Sequence, residues 1–545
     1  MKYRNAIALM GRLAIMSLTV IALCLLTTTA APAFPGSDNK ALTQAERALR
    51  QGEYERAEQI YRELLNKDAH DNEARLGLSF ALLKQRNLQP AYDHAARALL
   101  LNPLSARAHA LLGAAILAAG GFHESIEEFR TALSFNEDEA LAINGLAMID
   151  FYENRLDLAI KGLRHAVELA RNEPDYIFNL GQAAARSERY KEAADSYERF
   201  LQISPKTDED RRARIRGLID FLRYLGKQGS LYGLGGANRT IVHFETVDTR
   251  PILLVRVNGE KTPLRFVLDT GSGMSVISEV TAKRLGLRIV ARGGLARAVG
   301  GGGRFEIAYG FLSSLEIGEV RIQNVPVYIR HFYDETKTPI DGYIGLSVIS
   351  KFITSVDYRA CTLTLTHRQS ASADPSSAVN NSGSQPANGS GATLVRGVEI
   401  PVRTTASGFL SGEVRLEGFD KPFNFIIDTG ATVSVVAEKL AALDELSGHV
   451  QSTNLRVFGA AGIAENVKML VLPRIMLGTL QQERLGTAVL DLEPVNETAG
   501  FQQNGILGGN FLSHFRITFD FQRGVILLEP LNQTPTSGDG LKPTR

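Results

Sequence analysis

Two aspartates in matching contexts are the residues of this 545-residue chain best suited to catalysis. Asp269 and Asp428 each begin the tripeptide Asp-Thr-Gly, and each follows a short apolar run that is typical of a buried strand. An ionised carboxylate at the end of a buried strand costs free energy unless it is paired or hydrogen-bonded. Building that arrangement twice in one chain predicts that the two aspartates meet.

A pair of neighbouring aspartates predicts acid–base chemistry on water. Two carboxylates that lie close together cannot both ionise cheaply, so Asp269 and Asp428 would share a proton and titrate as a pair. One group can then accept a proton from water while the other protonates a carbonyl oxygen, and this chemistry requires no metal or cofactor. For either aspartate alone, the competing interpretation is a turn residue that accepts hydrogen bonds from nearby backbone amides.

The sequence around the two motifs is duplicated, which indicates two copies of one domain. Each motif is followed by an apolar segment that ends in glycine, Gly318 in the first copy and Gly478 in the second. A second glycine element comes later, with Gly345 and Gly508 lying 76 and 80 residues past their aspartates. Short runs rich in β-branched residues, separated by Gly, Pro or Asn, predict that both copies are all-β.

The two copies resemble the retropepsin-like aspartic proteases, in which each lobe is a small β-barrel-like unit that gives one aspartate. The resemblance covers residues 239–367 and 393–532 and implies a catalytic dyad of Asp269 and Asp428 acting on a peptide or protein substrate. The catalytic-loop residues that it implies are Thr270, Gly271, Ser272, Ile344 and Gly345 in the first lobe, and Thr429, Gly430, Ala431, Leu507 and Gly508 in the second. The two threonines would hydrogen-bond across the lobe interface, the motif glycines would allow a tight turn, and the two later pairs would back the active-site loops.

Glycine-rich segments in both lobes are expected to form the tips of flaps over the cleft. By the resemblance, the flap residues are Gly300, Gly301, Gly302 and Gly303 in the first lobe, and Gly459 and Gly462 in the second. Glycine supplies the unusual backbone angles that the end of a mobile hairpin requires. The four consecutive glycines do not predict a phosphate-binding loop, because no Gly-Lys-Ser/Thr follows them.

Three residues predict that the two halves of the site differ. Ser272 follows the first motif and Ala431 follows the second, so only Asp269 has a hydroxyl group nearby in the sequence. Gly273 stands where the family more often has a small residue other than glycine. Both carboxyl groups are nevertheless retained.

Residues 39–205 carry a 34-residue repeat that predicts an all-α domain. The small residues that recur at this period are Ala57, Ala91, Ser125, Ala159 and Ala193. Packing residues lie three positions before and four positions after each of them, which is helical spacing for one buried face. The pattern resembles tetratricopeptide repeats, and five of these would stack into a curved solenoid with a concave surface. We expect this surface to bind a partner protein; the alternative is a spacer or stability module.

The remaining segments connect these domains. Residues 206–238 predict a helix that caps the last repeat, followed by a glycine-rich hinge at 229–236. Residues 368–392 are rich in Ser, Asn, Ala and Gly and predict a flexible linker, long enough for both lobes to pair within one chain. Exchange of a lobe between chains is the alternative. Residues 533–545 are expected to form a disordered tail.

The first 33 residues are typical of a secretory signal. Basic residues precede an apolar run at 13–26, and the small residues at 31–33 offer a cleavage site. This pattern predicts export to the periplasm or the cell exterior. An uncleaved membrane anchor is the alternative, because the uncharged stretch 13–34 is long enough to span a bilayer.

Composition argues against several other classes of protein. The net charge is +1, so no global field favours nucleic acid or an anionic membrane. The ten histidines lack the short paired spacings of metal sites, and no metal is predicted. Cys24 lies in the N-terminal apolar run, so Cys361 would have no partner for an internal disulfide in the mature chain.

These patterns together predict an exported aspartic endopeptidase in which an all-α tetratricopeptide solenoid precedes two all-β retropepsin-like lobes. The solenoid would bind a partner or substrate protein. The alternative is a non-catalytic scaffold that binds extended peptides with the same lobes. Retention of both Asp269 and Asp428 favours the enzyme.

Overall fold

The computed structural model describes residues 39–299, 304–332, 339–368 and 397–531. The predicted targeting signal, the four-glycine flap tip, nearly all of the linker and the C-terminal tail lie outside these residues. Within them, an all-α solenoid is followed by two all-β lobes, which confirms the predicted fold class.

The solenoid, all of which is described, consists of five consecutive helix pairs. Its helices are α1 Asn39–Gln51, α2 Tyr54–Lys67, α3 Asn72–Lys84, α4 Leu88–Leu101, α5 Ala106–Ala118, α6 Phe122–Phe135, α7 Ala140–Tyr152, α8 Leu156–Leu169, α9 Pro174–Arg186 and α10 Tyr190–Ile203. The small residues of the 34-residue period are all fully buried between helices. A Cβ at Gly145 would lie 2.2 Å from the ring of Phe129, so helices α6 and α7 can pack this closely only around glycine.

The solenoid curls until its first repeat touches the segment that follows its last one. The hydroxyl of Thr207 donates to the carbonyl oxygen of Gly52 at 3.4 Å. The ammonium group of Lys84 in α3 also pairs with Glu173, just before α9, at 2.7 Å, and with Asp175 in α9. These contacts join the two ends of the concave face.

A helix predicted only as a cap also joins the solenoid to the first lobe. This helix, α11 (Glu209–Leu225), buries Ile215 and Ile219 in the core of the solenoid. Phe221 of the same helix belongs to the core of the lobes and stacks on Tyr309 with ring centroids 4.5 Å apart. The apolar residues of α11 therefore face two neighbours.

In its described residues, the first lobe contains a nine-stranded sheet with strand order β1-β9-β6-β10-β5-β4-β8-β7 and β3 paired to β4. The elements of the lobe in chain order are β1 Gly233–Gly236, β2 Arg239–His243, β3 Glu245–Val247, β4 Arg250–Val257, β5 Leu264–Leu268, β6 Val276–Ser278, α12 Glu279–Arg284, β7 Ala291–Arg297, β8 Arg304–Ile317, β9 Val320–Arg330, β10 Gly342–Ile344, α13 Leu346–Ile349, β11 Phe352–Asp357 and β12 Thr362–His367. The central strand β5 is almost entirely apolar because it is covered on both faces.

The second lobe repeats this arrangement. Its elements are β13 Val398–Thr404, β14 Leu410–Leu416, β15 Phe423–Ile427, β16 Ser434–Ala437, α14 Glu438–Ala441, α15 Asp444–Ser447, β17 Val450–Gly459, β18 Gly462–Leu477, β19 Leu480–Leu490, α16 Glu493–Ala499, β20 Gly505–Leu507, α17 Gly509–Leu512, β21 Phe515–Asp520 and β22 Val525–Pro530. Strand β15 lies parallel to β20, just as β5 lies parallel to β10 in the first lobe. The duplication seen in the sequence is therefore a duplication of topology.

The two lobes of the chain pair with each other through a shared sheet. Across the described parts of both lobes, six strands run in the order β13-β22-β21-β11-β12-β2. At its centre, β11 and β21 pair antiparallel, with Val356 opposite Ile517. Both of these residues are fully buried, so this interface is part of the protein core.

The glycine-rich stretch predicted as a hinge is in part a strand. Strand β1 pairs antiparallel with β9 from Gly233 opposite Gln323 to Gly236 opposite Val320. Gly236 has a φ of 83°, and a Cβ there would lie 2.1 Å from the carbonyl oxygen of Glu319. The glycines thus permit close backbone approach at the sheet edge, and the hinge prediction was wrong for these residues. No helix in the described part of the chain is long and apolar enough to cross a membrane.

Candidate active site

Each aspartate lies at the end of a central buried strand. Strand β5 delivers Asp269 and strand β15 delivers Asp428. The backbone N–H of Asp269 donates to the carbonyl of Ile344 at 3.0 Å, and that of Asp428 donates to the carbonyl of Leu507 at 2.9 Å. Ile344 and Leu507 therefore lie behind the two loops, where the resemblance placed them.

The two motif threonines exchange hydrogen bonds between the lobes. The Thr270 N–H donates to Oγ1 of Thr429 at 3.1 Å, and the Thr429 N–H donates to Oγ1 of Thr270 at 3.0 Å. Each hydroxyl in turn donates at 2.7 Å to a strand carbonyl of the opposite lobe, that of Ile427 or Leu268. Both threonines are fully buried, so these four bonds fix the two loops against each other.

The motif glycines bring each carboxyl group against the opposite loop. A Cβ at Gly271 would lie 2.3 Å from the carboxyl carbon of Asp428. A Cβ at Gly430 would lie 2.7 Å from Oδ1 of Asp269. Neither glycine has a positive φ, so the requirement for glycine comes from this close approach and not from the turn conformation. The two carboxyl groups therefore lie close enough to interact and to share a proton.

The later glycines, Gly345 and Gly508, are fixed by two serines that sequence reasoning missed. The N–H of Gly345 donates to the hydroxyl of Ser275 at 3.1 Å, and the N–H of Gly508 donates to the hydroxyl of Ser434 at 3.0 Å. Both serines are buried. Each comes six residues after its aspartate, so the duplicated spacing could have revealed them.

The hydrogen bonds to the two aspartates are unequal. Asp428 accepts backbone N–H groups from Gly430 at 2.8 Å and from Ala431 at 3.2 Å, whereas Asp269 accepts one from Gly271 at 2.9 Å. The Ser272 hydroxyl, which is near Asp269 in sequence, donates instead to the carbonyl of Met274 at 2.7 Å. The predicted asymmetry is present, but it comes from backbone donors to Asp428.

Ser272 and Ala431 support the active-site loops through their carbonyl groups. The carbonyl of Ser272 accepts from the N–H of Leu346 at 2.8 Å, and that of Ala431 accepts from Gly509 at 2.7 Å. Because Leu346 and Gly509 begin short helices, each loop is tied to a structured segment. The two lobes therefore have the same backbone support at this position, although the first has serine there and the second has alanine.

Burial makes both aspartates hard to ionise. Burial raises the pKa of Asp269 well above its ordinary value, and the neighbouring charge of Asp428 raises it further. Burial also raises the pKa of Asp428, but the backbone donors Gly430 and Ala431 oppose this effect by stabilising its anion. These directions favour the state in which Asp269 holds the shared proton and Asp428 is ionised.

Gly273 is explained by a contact from the second lobe. A Cβ at this position would lie 2.6 Å from the carbonyl oxygen of Ser407, which belongs to the loop between β13 and β14. The equivalent residue of the second lobe is Thr432, and its carbonyl accepts from the hydroxyl of Thr249 in the first lobe at 3.2 Å. Each lobe therefore sends a loop against the residues that follow the other motif.

The flap of the second lobe reaches across to the first. Strands β17 and β18 form a long hairpin in which Gly459 pairs with Gly462 at the tip, and Gly462 has a φ of 132°. The guanidinium of Arg330 in β9 donates to the carbonyl of Ala460 at 3.0 Å. Arg330 also lies close enough to the dyad to oppose the rise in the pKa of Asp269. In the first lobe, β7 and β8 lead towards the four glycines that lie outside the described residues.

The described residues contain no group of three or more His, Cys, Asp or Glu side chains that could hold a metal ion. The arrangement that they do contain is a proton-sharing pair of carboxyl groups at the junction of two lobes. Such a pair can donate one proton and accept another at the same substrate.

Comparison with protein families agrees with this geometry. Residues 253–348 and 412–511 match the family described as aspartyl protease. Residues 48–115 and 174–207 match tetratricopeptide repeat families. The two lobes are therefore aspartyl-protease domains, and the solenoid is built of tetratricopeptide repeats.

Several solved structures also match this chain. A tetratricopeptide-repeat protein of Thermus thermophilus is 21% identical, with 32% of this chain and 95% of that one covered and a TM-score of 0.29. The MamA protein is 18% identical, with 30% and 90% covered and a TM-score of 0.22. YrrB, described as a tetratricopeptide-repeat protein with an unusual peptide-binding site, is 20% identical, with 30% and 84% covered and a TM-score of 0.21. No curated protein matches the chain.

Proposed function

We propose that this chain is an aspartic endopeptidase that hydrolyses peptide bonds with Asp269 and Asp428. The observation that carries the proposal is the contact of each carboxyl group with the glycine of the opposite motif. Two aspartates that served only as turn residues would not need to meet across a domain interface. Burial raises both pKa values, and the charge of Asp428 raises that of Asp269 further, an electrostatic cost that makes sense if the shared proton is used.

The unequal hydrogen bonds suggest which carboxyl group takes which role. Asp428, whose anion is stabilised by two backbone donors, would accept a proton from the attacking water. Asp269, which holds the shared proton, would donate it to the oxygen of the peptide carbonyl. The water oxygen then bonds to the carbonyl carbon and gives a neutral tetrahedral diol.

Collapse of this diol would complete the reaction. Asp428, now protonated, gives its proton to the peptide nitrogen as the carbon–nitrogen bond breaks. Asp269, now ionised, takes a proton from one hydroxyl of the diol, which becomes the new carboxyl group. The pair thereby returns to its starting state with one shared proton, and no covalent bond forms between enzyme and substrate.

The solenoid would hold a partner or substrate protein, which is the role that tetratricopeptide repeats suggest. Export of the chain to the periplasm or the cell exterior is part of the same proposal and rests on the N-terminal sequence. N-terminal sequencing of the purified protein tests it. A mature chain beginning near residue 34 supports a cleaved signal, an intact start in the membrane fraction supports an anchor, and an intact start in the cytosol contradicts export.

Cleavage of a mixture of synthetic peptides, followed by mass spectrometry from acidic to neutral pH, tests the proposed activity. The wild-type chain is expected to cut, and the Asp428→Asn variant is not. Asp420→Asn is a matched control because Asp420 is exposed in the same lobe and lies away from the dyad. Binding of peptides by the wild-type chain without any cleavage would favour the scaffold.

A further inference from the structure

The concave face of the solenoid and the catalytic cleft line one continuous cavity. Its volume is about 1860 Å³, larger than the roughly 300–1,000 Å³ of a small-molecule site. Asp269 and Gly271 line one part of the wall, and Asn144, Asn179 and Gln182 of the solenoid line another. The cavity is nevertheless far too small for a folded protein domain.

The second lobe holds the solenoid in this position. Phe501, in the loop before β20, inserts between Phe122 and Tyr152, with ring centroids 4.9 and 5.0 Å away. The next residue, Gln502, donates its N–H to the carbonyl of Ala118 at the end of α5, at 2.9 Å. Because Phe501 is almost fully buried, the solenoid and the lobe share a packed contact.

A second contact runs from the solenoid to the loop between β13 and β14, which lies against the first catalytic loop. The half-buried guanidinium of Arg186, at the end of α9, donates to the carbonyls of Thr405 and Ala406, the latter at 3.2 Å. These residues lead directly to Ser407, whose carbonyl lies against Gly273. The wall of the solenoid therefore continues into the wall of the cleft without a gap.

The charged residues of the solenoid wall are largely paired with one another. Lys84 and Arg211 both pair with Asp175, and Arg211 also pairs with Asp208. The N–H groups of Arg186 have hydrogen-bond partners as well, the carbonyls of Thr405 and Ala406. Most charged side chains of this wall therefore already have polar partners; Arg86 and Arg214 also line the cavity, and the described residues show no ion pair for either of them.

The other groups on this wall suit an uncharged polypeptide. Phe80, Leu117 and Phe178 supply apolar surface. The side chain of Asn179 donates to that of Asn144 at 3.1 Å, which in the described structure leaves an amide N–H of Asn144 and lone pairs of Asn179 for a ligand. An extended peptide presents both donors and acceptors along its backbone, and side-chain amides can pair with either.

We propose that the solenoid face is a distal part of the substrate-binding cleft and binds an extended, uncharged stretch of the polypeptide that is cut at the dyad. This proposal rests on the proposed endopeptidase activity. It assigns the solenoid to substrate selection. Long unfolded or flexible chains would be preferred over short peptides, and neutral flanking sequence over charged sequence.

One short peptide and two pairs of extended peptides, all with the same cleavable core, test the proposal on the full chain. The short peptide has about eight residues and spans about 27 Å when extended, and the two pairs add about ten residues on one side or the other in separate syntheses. Each extension is made in a neutral and in an acidic form. For one of the two sides, the neutral extension is expected to lower KM about tenfold relative to the short peptide, which is the effect of one or two hydrogen bonds. The acidic extension on that side is not expected to lower KM.

Variants of the solenoid face test whether this surface causes the lower KM of the neutral long peptide. The double variant Asn179→Ala/Gln182→Ala is expected to bring the KM of the neutral long peptide close to that of the short one. Gln202→Ala is the matched control, because Gln202 is an exposed amide on α10 that lies outside the cavity. Binding of the neutral extension alone to the Asp269→Asn chain, followed by fluorescence polarisation, should weaken in the double variant and not in the control.

Equal KM values for short and long peptides in the wild-type chain would overturn the proposal, as would an unchanged preference in the double variant. Either result would assign the solenoid face to a separate partner or to no ligand. Failure of the endopeptidase proposal is distinguishable, because the short peptide would then not be cut at all.

Discussion

Thr270 and Thr429 each donate a backbone N–H to the side-chain oxygen of the other, and the hydroxyl of each donates a hydrogen bond to a carbonyl of the opposite lobe. The four bonds form a closed, fully buried set at the centre of the lobe interface. The same bonds therefore stabilise the lobe interface and fix the distance between the two carboxyl groups.

Replacing Thr270 with alanine removes one hydroxyl from this set and leaves two buried backbone groups without a partner, the N–H of Thr429 and the carbonyl of Ile427. We expect the free energy of unfolding to fall by about 2–4 kcal/mol, because each unsatisfied buried group costs about 1–3 kcal/mol. Cleavage should also fall, since the loops are no longer held together. Urea unfolding and peptide cleavage measure the two effects.

The control for this substitution is Thr270→Ser, which keeps the hydroxyl. It should retain most of the stability and activity. If alanine and serine behave alike, the hydroxyl bonds do not brace the interface.

Adding a methyl group at Gly430 should separate the carboxyl groups. A Cβ there would lie 2.7 Å from an oxygen of Asp269, which is too close for any side chain. We expect Gly430→Ala to lower kcat by at least about 100-fold, since misplaced acid–base groups lose much of their contribution. Gly486→Ala is the control, because a Cβ there meets no atom within 4 Å. Comparable activity of the two variants would argue against close contact of the dyad.

The pH dependence of cleavage should be bell-shaped, because the pair works only with one proton. Activity is lost as pH falls and Asp428 becomes protonated, and it is lost as pH rises and Asp269 gives up its proton. Since the pKa values of both groups are raised, we expect both limbs to lie above the ordinary aspartate value of about 3.9. A profile of kcat/KM that is flat from acidic to neutral pH would contradict the shared proton.

The same pKa shifts predict that the dyad costs stability at neutral pH. An acid whose pKa is raised on folding binds its proton more tightly in the folded state, so stability falls as pH rises from the unfolded value through the folded one. Asp269→Asn removes this loss. In urea unfolding at neutral pH, its free energy of unfolding should exceed that of the wild type by about 1.4 kcal/mol for each tenfold gain in proton affinity that Asp269 makes on folding. This difference in stability should vanish below about pH 4. An Asp269→Asn variant that is less stable than the wild type at every pH would contradict the prediction.

Pairing of the lobes within one chain predicts that inactive variants cannot rescue each other. The shared sheet joins β11 and β21 of the same chain. A mixture of Asp269→Asn and Asp428→Asn chains, unfolded and refolded together, should remain inactive. Recovery of about a quarter to a half of the wild-type activity would instead show exchange of lobes between chains.

Much of this architecture is readable from the sequence because it is repeated. The 34-residue period places small residues between helices, and duplication of the Asp-Thr-Gly context reveals two lobes and one dyad. Ser275 and Ser434 share that regularity but carry no chemistry that would single them out. Repetition in the sequence therefore predicted the domains more readily than the serines that support the active-site loops.

Contacts between distant segments had no such signature. Arg186 and the carbonyls of Thr405 and Ala406 that it binds are more than 200 residues apart, and backbone carbonyls are present in every sequence. The only sign in the sequence of the contact between Ser407 and Gly273 is that position 273 is a glycine, which is unusual there. The docking of the solenoid on the second lobe, and hence the shared cavity, required the structure.

The most direct test of the central claim is the kcat/KM of Asp269→Asn and of Asp428→Asn, each measured beside the wild-type chain on one peptide. If the two carboxyl groups form one site, either substitution should lower kcat/KM by about 100-fold to 10,000-fold, the usual contribution of an acid–base group. Retention of about half of the activity in either variant would show two independent sites and contradict the dyad.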